Sequence, residues 1–209
     1  MGLSTLPDSY DRFLGMQGMH GKYASTMANR EADLVIGVGV RFSDRSTGNP
    51  KGIEKRARII QLDTDLSEID KNVKVDIGLV GNVVTTFKKL LERCEEKQHP
   101  KWNALINQFK AQGKDIFTEE SGANGALLTP KAMFDIINAI KSESTVIATD
   151  VGQHQMWTAQ HIRFEKARRF ASSGGLGTMG YGLGAAIGAH IGSKDRVLLP
   201  CTLPVPSGQ

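Results

Sequence analysis

At 209 residues and a formal net charge of +4, the chain is long enough for one large or two small folded units. Hydrophobic residues make up 40% and charged residues 23%, as in a globular protein; with aromatics at 6% and basic groups only in short runs at 51–58 and 163–169, nothing indicates a nucleic-acid partner. No apolar run spans a membrane, no signal-peptide pattern opens the chain, and Cys94 and Cys201 lack metal-ligand spacing, so the expected setting is cytoplasmic and reducing.

The first recognisable feature is a glycine-rich turn at 15–21, followed by a helical pattern over 23–30. Residues 33–42 form a run apolar on both faces, which suits a buried parallel strand. A polar loop at 43–48 follows, then a second strand at 57–63 that stops at the acids Asp63 and Asp65. Residues 66–69 read as a helix start and 73–77 as a third strand, leading to Gly81 and Asn82. An amphipathic helix over 83–94 then places Val83, Val84, Phe87, Leu90 and Leu91 on one face.

This alternation predicts a parallel α/β sheet, in which ligands bind beyond the carboxyl ends of the strands. Gly39, Arg41, Asp44, Arg45, Asp63 and Asp65 fall there. An acid ending the strand after a glycine turn resembles ribose recognition by a dinucleotide fold. Two other readings stay open. Gly37 and Gly39 lack the third glycine of the full fingerprint, and acids after strands also cap helices. His20 is either a ligand contact or a turn residue.

A charged break ends at Pro100, and a helix carrying Trp102, Leu105, Ile106 and Phe109 follows. With the glycine- and serine-rich stretch 117–128, it reads as a connection bearing one surface helix. The second half begins with Thr129 as N-cap and Pro130 as first helical residue, with Met133, Ile136, Ile137 and Ile140 as the buried stripe. A strand at 145–150 ends in the turn Val151, Gly152, Gln153 and His154. A short strand at 169–171 then runs into a glycine run at 172–184 and an apolar helix over 183–191.

Strand, glycine loop and helix together bring backbone N–H groups to a phosphate, at the positive end of the helix. The run is not a Walker loop, because no Gly-Lys-Ser/Thr follows. Close helix packing is the alternative, since Gly184, Gly188 and Gly192 recur every fourth residue. His154 and His161 make no convincing metal pair, and no Gly-x-Ser-x-Gly occurs.

Four blocks in order carry a resemblance: 15–21 (GMQGMHG), 39–48 (GVRFSDRSTG), 152–157 (GQHQMW) and 173–182 (SGGLGTMGYG). Together they resemble the acetolactate synthase catalytic subunits, a thiamine-diphosphate enzyme family that also binds FAD. The resemblance implies a parallel-sheet, Rossmann-like middle domain over 1–95, a linker with one helix over 96–128, and the start of a second α/β, thiamine diphosphate-binding domain over 129–209. It implies FAD along Gly18, Met19, His20 and Gly21, past Gly39, Arg41, Asp44 and Arg45, to Asp63 and Asp65. It implies the diphosphate of thiamine diphosphate at Val151, Gly152, Gln153 and His154, and its thiazolium over Gly177 and Met179.

The chemistry so implied is condensation of pyruvate-derived hydroxyethyl-thiamine diphosphate with pyruvate or 2-ketobutyrate, at the head of valine, leucine and isoleucine biosynthesis. Mg2+, a homo-oligomer and a small regulatory subunit belong to the same implication. Three departures stand out: Gln17 for an apolar residue, Ser43 for an acid and Asn82 for an aspartate, the last weakening one flavin contact. After Leu199 the expected Gly-Asp-Gly metal motif does not follow, and Pro200, Pro204 and Pro206 do not suit a buried strand. The expectation is therefore a partial chain with an aberrant tail from about residue 200, no metal ligands and no catalytic residue, inactive alone and unable to hold the cofactor tightly. Alternatives are an FAD- or nucleotide-binding module without catalysis, or another thiamine-diphosphate decarboxylase or oxidase.

Overall fold

The computed structural model describes residues 2–49, 52, 56–116, 129–192 and 198–201. These fall into two compact units. One comprises the described residues of Gln17–Met19 and Tyr23–Gly113, the other those of Met1–Met16, His20–Lys22 and Lys114–Gln209. The division is not the linear one expected from the sequence, with boundaries near 95 and 129. The opening residues pack with the second half, because Leu3 is buried in one core with Phe134, Ile147, Ala159, Ile162 and Phe164. The helix expected in the linker carries buried Ile106 and Phe109 and lies mostly in the other unit. The stretch 117–128 lies outside the described residues.

In the unit holding Tyr23–Gly113, strands β1 (Leu34–Val38), β2 (Arg58–Asp63) and β3 (Ile77–Val80) form a parallel sheet in that order. Its elements are α1 (Tyr23–Glu31), the single turn α2 (Asp44–Thr47), α3 (Val83–Leu91) and most of α4 (Pro100–Ile116). Alternate positions of β2 point Ile59 and Gln61 into a core shared with Phe42, Ala57 and Val73. The side-chain amide of Gln61 donates to the carbonyls of Val40 and Glu68, which lets a polar group sit there.

Three expectations shift in this unit. The apolar run 33–42 is strand only to Val38, because Gly39 turns the chain at φ +61 and sends buried Phe42 into the core. The third strand begins at Ile77 rather than Val73. Residues 70–76 instead form a turn in which Asp70 Oδ1 accepts the Val75 N–H and Asp76 Oδ2 accepts the Ile59 N–H. The helix start at 66–69 is only a 3-10 turn, Leu66–Glu68. The apolar face of α3 stays exposed at Val84, Phe87, Leu90 and Leu91.

The other unit has a second parallel sheet, β5 (Phe170–Ser172), β4 (Val146–Thr149) and β6 (Leu198–Cys201), with β4 in the middle. Around it are α5 (Pro130–Ile140), α6 (Gln153–His161) and α7 (Tyr181–Gly192). The α/β class with parallel sheets is the one expected. Thr129 caps α5 through its Oγ1, 3.2 Å from the Ala132 N–H, with Pro130 opening the helix. The buried face of α5 centres on Phe134 (0% exposed), however, and Ile136 and Ile140 are exposed. The expected stripe was turned by about one position: Met133 and Ile137 only flank the core. Pro200 does lie in a strand, paired with Ala148. The strand is at the sheet edge among the described residues, where a missing N–H is tolerated. Pro204 and Pro206 lie outside the described residues.

Candidate functional site

Strand β4 is buried along its whole length and delivers the turn Asp150, Val151 and Gly152 to the carboxyl edge of its sheet. Gly152 is the N-cap of α6, at φ 148 and ψ −168. The first amides of α6, at Gln153 and His154, have no acceptor within their own helix and lie at its positive end. His154 is 3% exposed, and its Nε2 is buried with no hydrogen-bond partner among the described residues. A buried nitrogen in that state costs stability unless something else satisfies it. His161, seven residues on, stacks on Phe134 at 6.0 Å, and burial lowers its pKa. Among the described residues no three His, Cys, Asp or Glu side chains gather as a metal site.

A buried network fixes the turn from below. Ser172 Oγ, at the end of β5, accepts from Thr149 Oγ1 at 2.8 Å and from Gln155 Nε2 at 2.6 Å. Gln155 Oε1 lies 3.3 Å from His20 Nε2, and Gln160 Nε2 donates to the Gly21 carbonyl at 3.1 Å. His20 and Gly21, expected on the flavin, thus sit in the same unit as the thiamine-side turn.

The glycine run leaves β5 as a loop. The Gly177 N–H donates to the Ser173 carbonyl at 3.0 Å and the Thr178 N–H to Ser173 Oγ at 2.9 Å. Leu176 is 95% and Met179 76% exposed, so the loop offers apolar side chains uncovered by the described residues. The Gly180 N–H donates to both carboxylate oxygens of Asp150, each at 2.9 Å, and the Val151 N–H donates to Asp150 Oδ1 at 2.9 Å. The glycine packing expected of α7 is found elsewhere than expected. A Cβ on Gly182 would stand 2.7 Å from the Asp150 nitrogen, whereas Gly184, Gly188 and Gly192 have no described atom within 4 Å of that position.

In the other unit, Gly18, Met19, Asp44 and Arg45 line one open cleft of about 530 Å³, with Asn29, Arg30 and Arg56. Arg45 Nη1 lies 3.8 Å from Met19 Sδ. Gly18 is a glycine for a packing reason: a Cβ there would stand 2.2 Å from the Arg45 carbonyl oxygen. Gly39, Arg41, Asp63 and Asp65 are at the carboxyl edge of the sheet but do not line this cleft. Asp63 Oδ1 accepts the Asp65 N–H at 3.0 Å, and Asp65 caps the following 3-10 turn by accepting the Ser67 N–H at 2.8 Å. The Ser67 hydrogen bonds hold the Asp65 carboxyl below its ordinary pKa. The helix-cap reading is therefore realised at Asp65, while Asp63 holds the turn before it. Asn82 likewise caps α3, accepting the Thr85 N–H at 3.2 Å.

Sequence reasoning passed over Asp150, Gln155 and Ser172. Asp150 carried a signal, an acid ending a strand just before a glycine turn. Gln155 lies in the block 152–157 and Ser172 opens the glycine run, but their roles depend on partners distant in sequence.

The family description "Thiamine pyrophosphate enzyme, central domain" matches residues 1–90, and "Thiamine pyrophosphate enzyme, C-terminal TPP binding domain" matches residues 150–200. The acetolactate synthase large subunit of Lactococcus lactis is 39% identical over 197 residues, which cover 94% of this chain and 34% of that protein. Those of Haemophilus influenzae and Corynebacterium glutamicum are each 36% identical, covering 97% and 94% of this chain and 36% and 32% of their own lengths. The chain thus spans about a third of the length of the curated relatives it matches. No helix among the described residues is long and apolar enough to cross a membrane. On these matches and its two parallel α/β sheets, the chain belongs to the thiamine pyrophosphate enzymes, and its relatives there are acetolactate synthase large subunits.

Proposed function

We propose that the chain contributes to an acetolactate synthase catalytic subunit, which joins pyruvate to a second 2-keto acid, pyruvate or 2-ketobutyrate. Its part is to hold thiamine diphosphate at the head of α6 and the glycine loop. The observation that carries this reading is His154. Its buried Nε2 has no partner among the described residues, and its own backbone N–H is one of the helix-start amides that favour an anion. A diphosphate oxygen would satisfy both. Gly152, Gln153 and His154 bind the diphosphate arm, and Val151 sets the turn. Gly177 and Met179 meet the ring, with Met179 offering an apolar surface that water otherwise covers. When bound, the thiamine group supplies a nucleophilic carbon and an electron sink for decarboxylation. The protein's share is to orient that group and keep water from it.

A flavin fits the same proposal less completely. Gly18, Met19, Asp44 and Arg45 share a cleft, and Arg45 can pair with a phosphate. His20, Gly21, Gly39, Arg41, Asp63 and Asp65 do not line it, and both acids already accept local backbone N–H groups. Mg2+ on the diphosphate has no ligand set among the described residues. A homo-oligomer and a small regulatory subunit belong to the proposal for the whole subunit.

Calorimetric titration tests the reading. With Mg2+ present, thiamine diphosphate is expected to bind in the millimolar range or tighter, with unphosphorylated thiamine at least tenfold weaker. His154→Ala should weaken the diphosphate form about tenfold, the loss of one charge-assisted bond. Equal binding of the two forms, or no effect at His154, contradicts it.

A further inference from the structure

We propose that Asp150 is a positioning residue that joins the diphosphate-side turn to the thiazolium-side loop as one rigid element. Its carboxylate bonds both segments directly at their backbone. It takes the Gly180 N–H on two oxygens at 2.9 Å, and it takes the Val151 N–H on one of them at 2.9 Å. Gly180 itself holds φ +85 and directly precedes α7. The first turn of α7 is then pressed on the end of β4, since a Cβ at Gly182 would stand 2.7 Å from the Asp150 nitrogen and 3.0 Å from the Thr149 carbonyl carbon.

Among the described residues the loop has little else to hold it. Its tips, Leu176 and Met179, are exposed, and its other polar contacts, through Ser173, are internal to the loop. A carboxylate receiving backbone N–H groups makes stronger bonds than a neutral acceptor. Asp150 therefore decides where Met179 stands relative to Gly152 and His154, although it need not touch a ligand. The amide-exchange part of this inference concerns the chain alone. Its cofactor part rests on the thiamine diphosphate reading above.

The test is residue-resolved hydrogen exchange on the full chain and its Asp150→Asn and Asp150→Ala variants, with thiamine diphosphate titrations alongside. In Asp150→Ala the Gly180 amide should exchange at least tenfold faster, with the β4 amides of Ile147 and Ala148 unchanged. Asp150→Asn keeps an acceptor oxygen without the charge, so its Gly180 amide should quicken about threefold. Cofactor affinity should fall about tenfold in the alanine variant and under threefold in the asparagine variant. Should the alanine variant fail to fold, the asparagine variant decides through Gly180 against Ile147. Gly180 exchange at the unsubstituted rate in a folded variant overturns the proposal, as does an equal loss of affinity in both variants. Faster Gly180 exchange in a chain that binds no cofactor would uphold the clamp and remove the thiamine reading instead.

Discussion

Gly182 approaches Asp150 so closely that a Cβ on it would lie 2.7 Å from the Asp150 backbone nitrogen. Backbone cannot yield as a flexible side chain does. Gly182→Ala should therefore destabilise the chain by about 1–3 kcal/mol, the cost of overpacking a close contact. Gly184, two residues further along the same helix, has no described atom within 4 Å of its Cβ position. Gly184→Ala should stabilise by roughly 0.5–1 kcal/mol through helix propensity alone. Urea unfolding of the two variants checks the pair, and equal effects at both positions would contradict the packing.

Ser172 accepts from both Thr149 and Gln155 in a buried setting. Ser172→Ala leaves those donors without their acceptor. The expected loss is about 2 kcal/mol or more, since an unsatisfied buried polar group costs about 1–3 kcal/mol. Gln155→Leu in the same background should recover part of it, because one orphaned group is removed with its partner. A double-mutant cycle in thermal unfolding reads the coupling.

Asp8 gives a pH dependence. Its side chain is 8% exposed, Oδ2 lies 3.7 Å from Lys22 Nζ, and Oδ1 has no hydrogen-bond partner among the described residues. Burial raises the carboxyl pKa above its ordinary 3.8, and attraction to Lys22 only partly opposes this. The folded chain thus holds this proton more strongly than the unfolded chain. The resulting stability is fully present below about 3.8 and is lost as pH rises through the raised value. Asp8→Asn should flatten that part of the stability profile and leave the chain more stable than the unsubstituted one at neutral pH. Chemical denaturation across the acidic range checks this, and a parallel pair of profiles would contradict it.

The strands and helices were legible because parallel α/β units write themselves as apolar runs, glycine turns and caps. Thr129 and Pro130 open α5 as read, and Gly152 ends the β4 turn as read. Which face a helix buries was less legible. Phe134 displaced Ile136 and Ile140 as the core-facing residue, because a helical stripe two residues wide fits several rotations. The division into units was not legible, since Leu3 meets its core partners only in three dimensions. The site shows the same contrast. Gly152, His154 and Gly177 announce themselves as turn residues. Asp150 and Ser172 act through bonds to segments far along the chain, which no local pattern records.

The central claim is that the head of α6 and the glycine loop together hold thiamine diphosphate. Hydrogen exchange of the chain with and without millimolar thiamine diphosphate and Mg2+ tests it most directly. The account predicts slower exchange at residues 151–155 and 177–180, with little change in β1, β2 and β3. Protection confined to the other unit, or none at 151–155 under conditions where binding is measured, would contradict it.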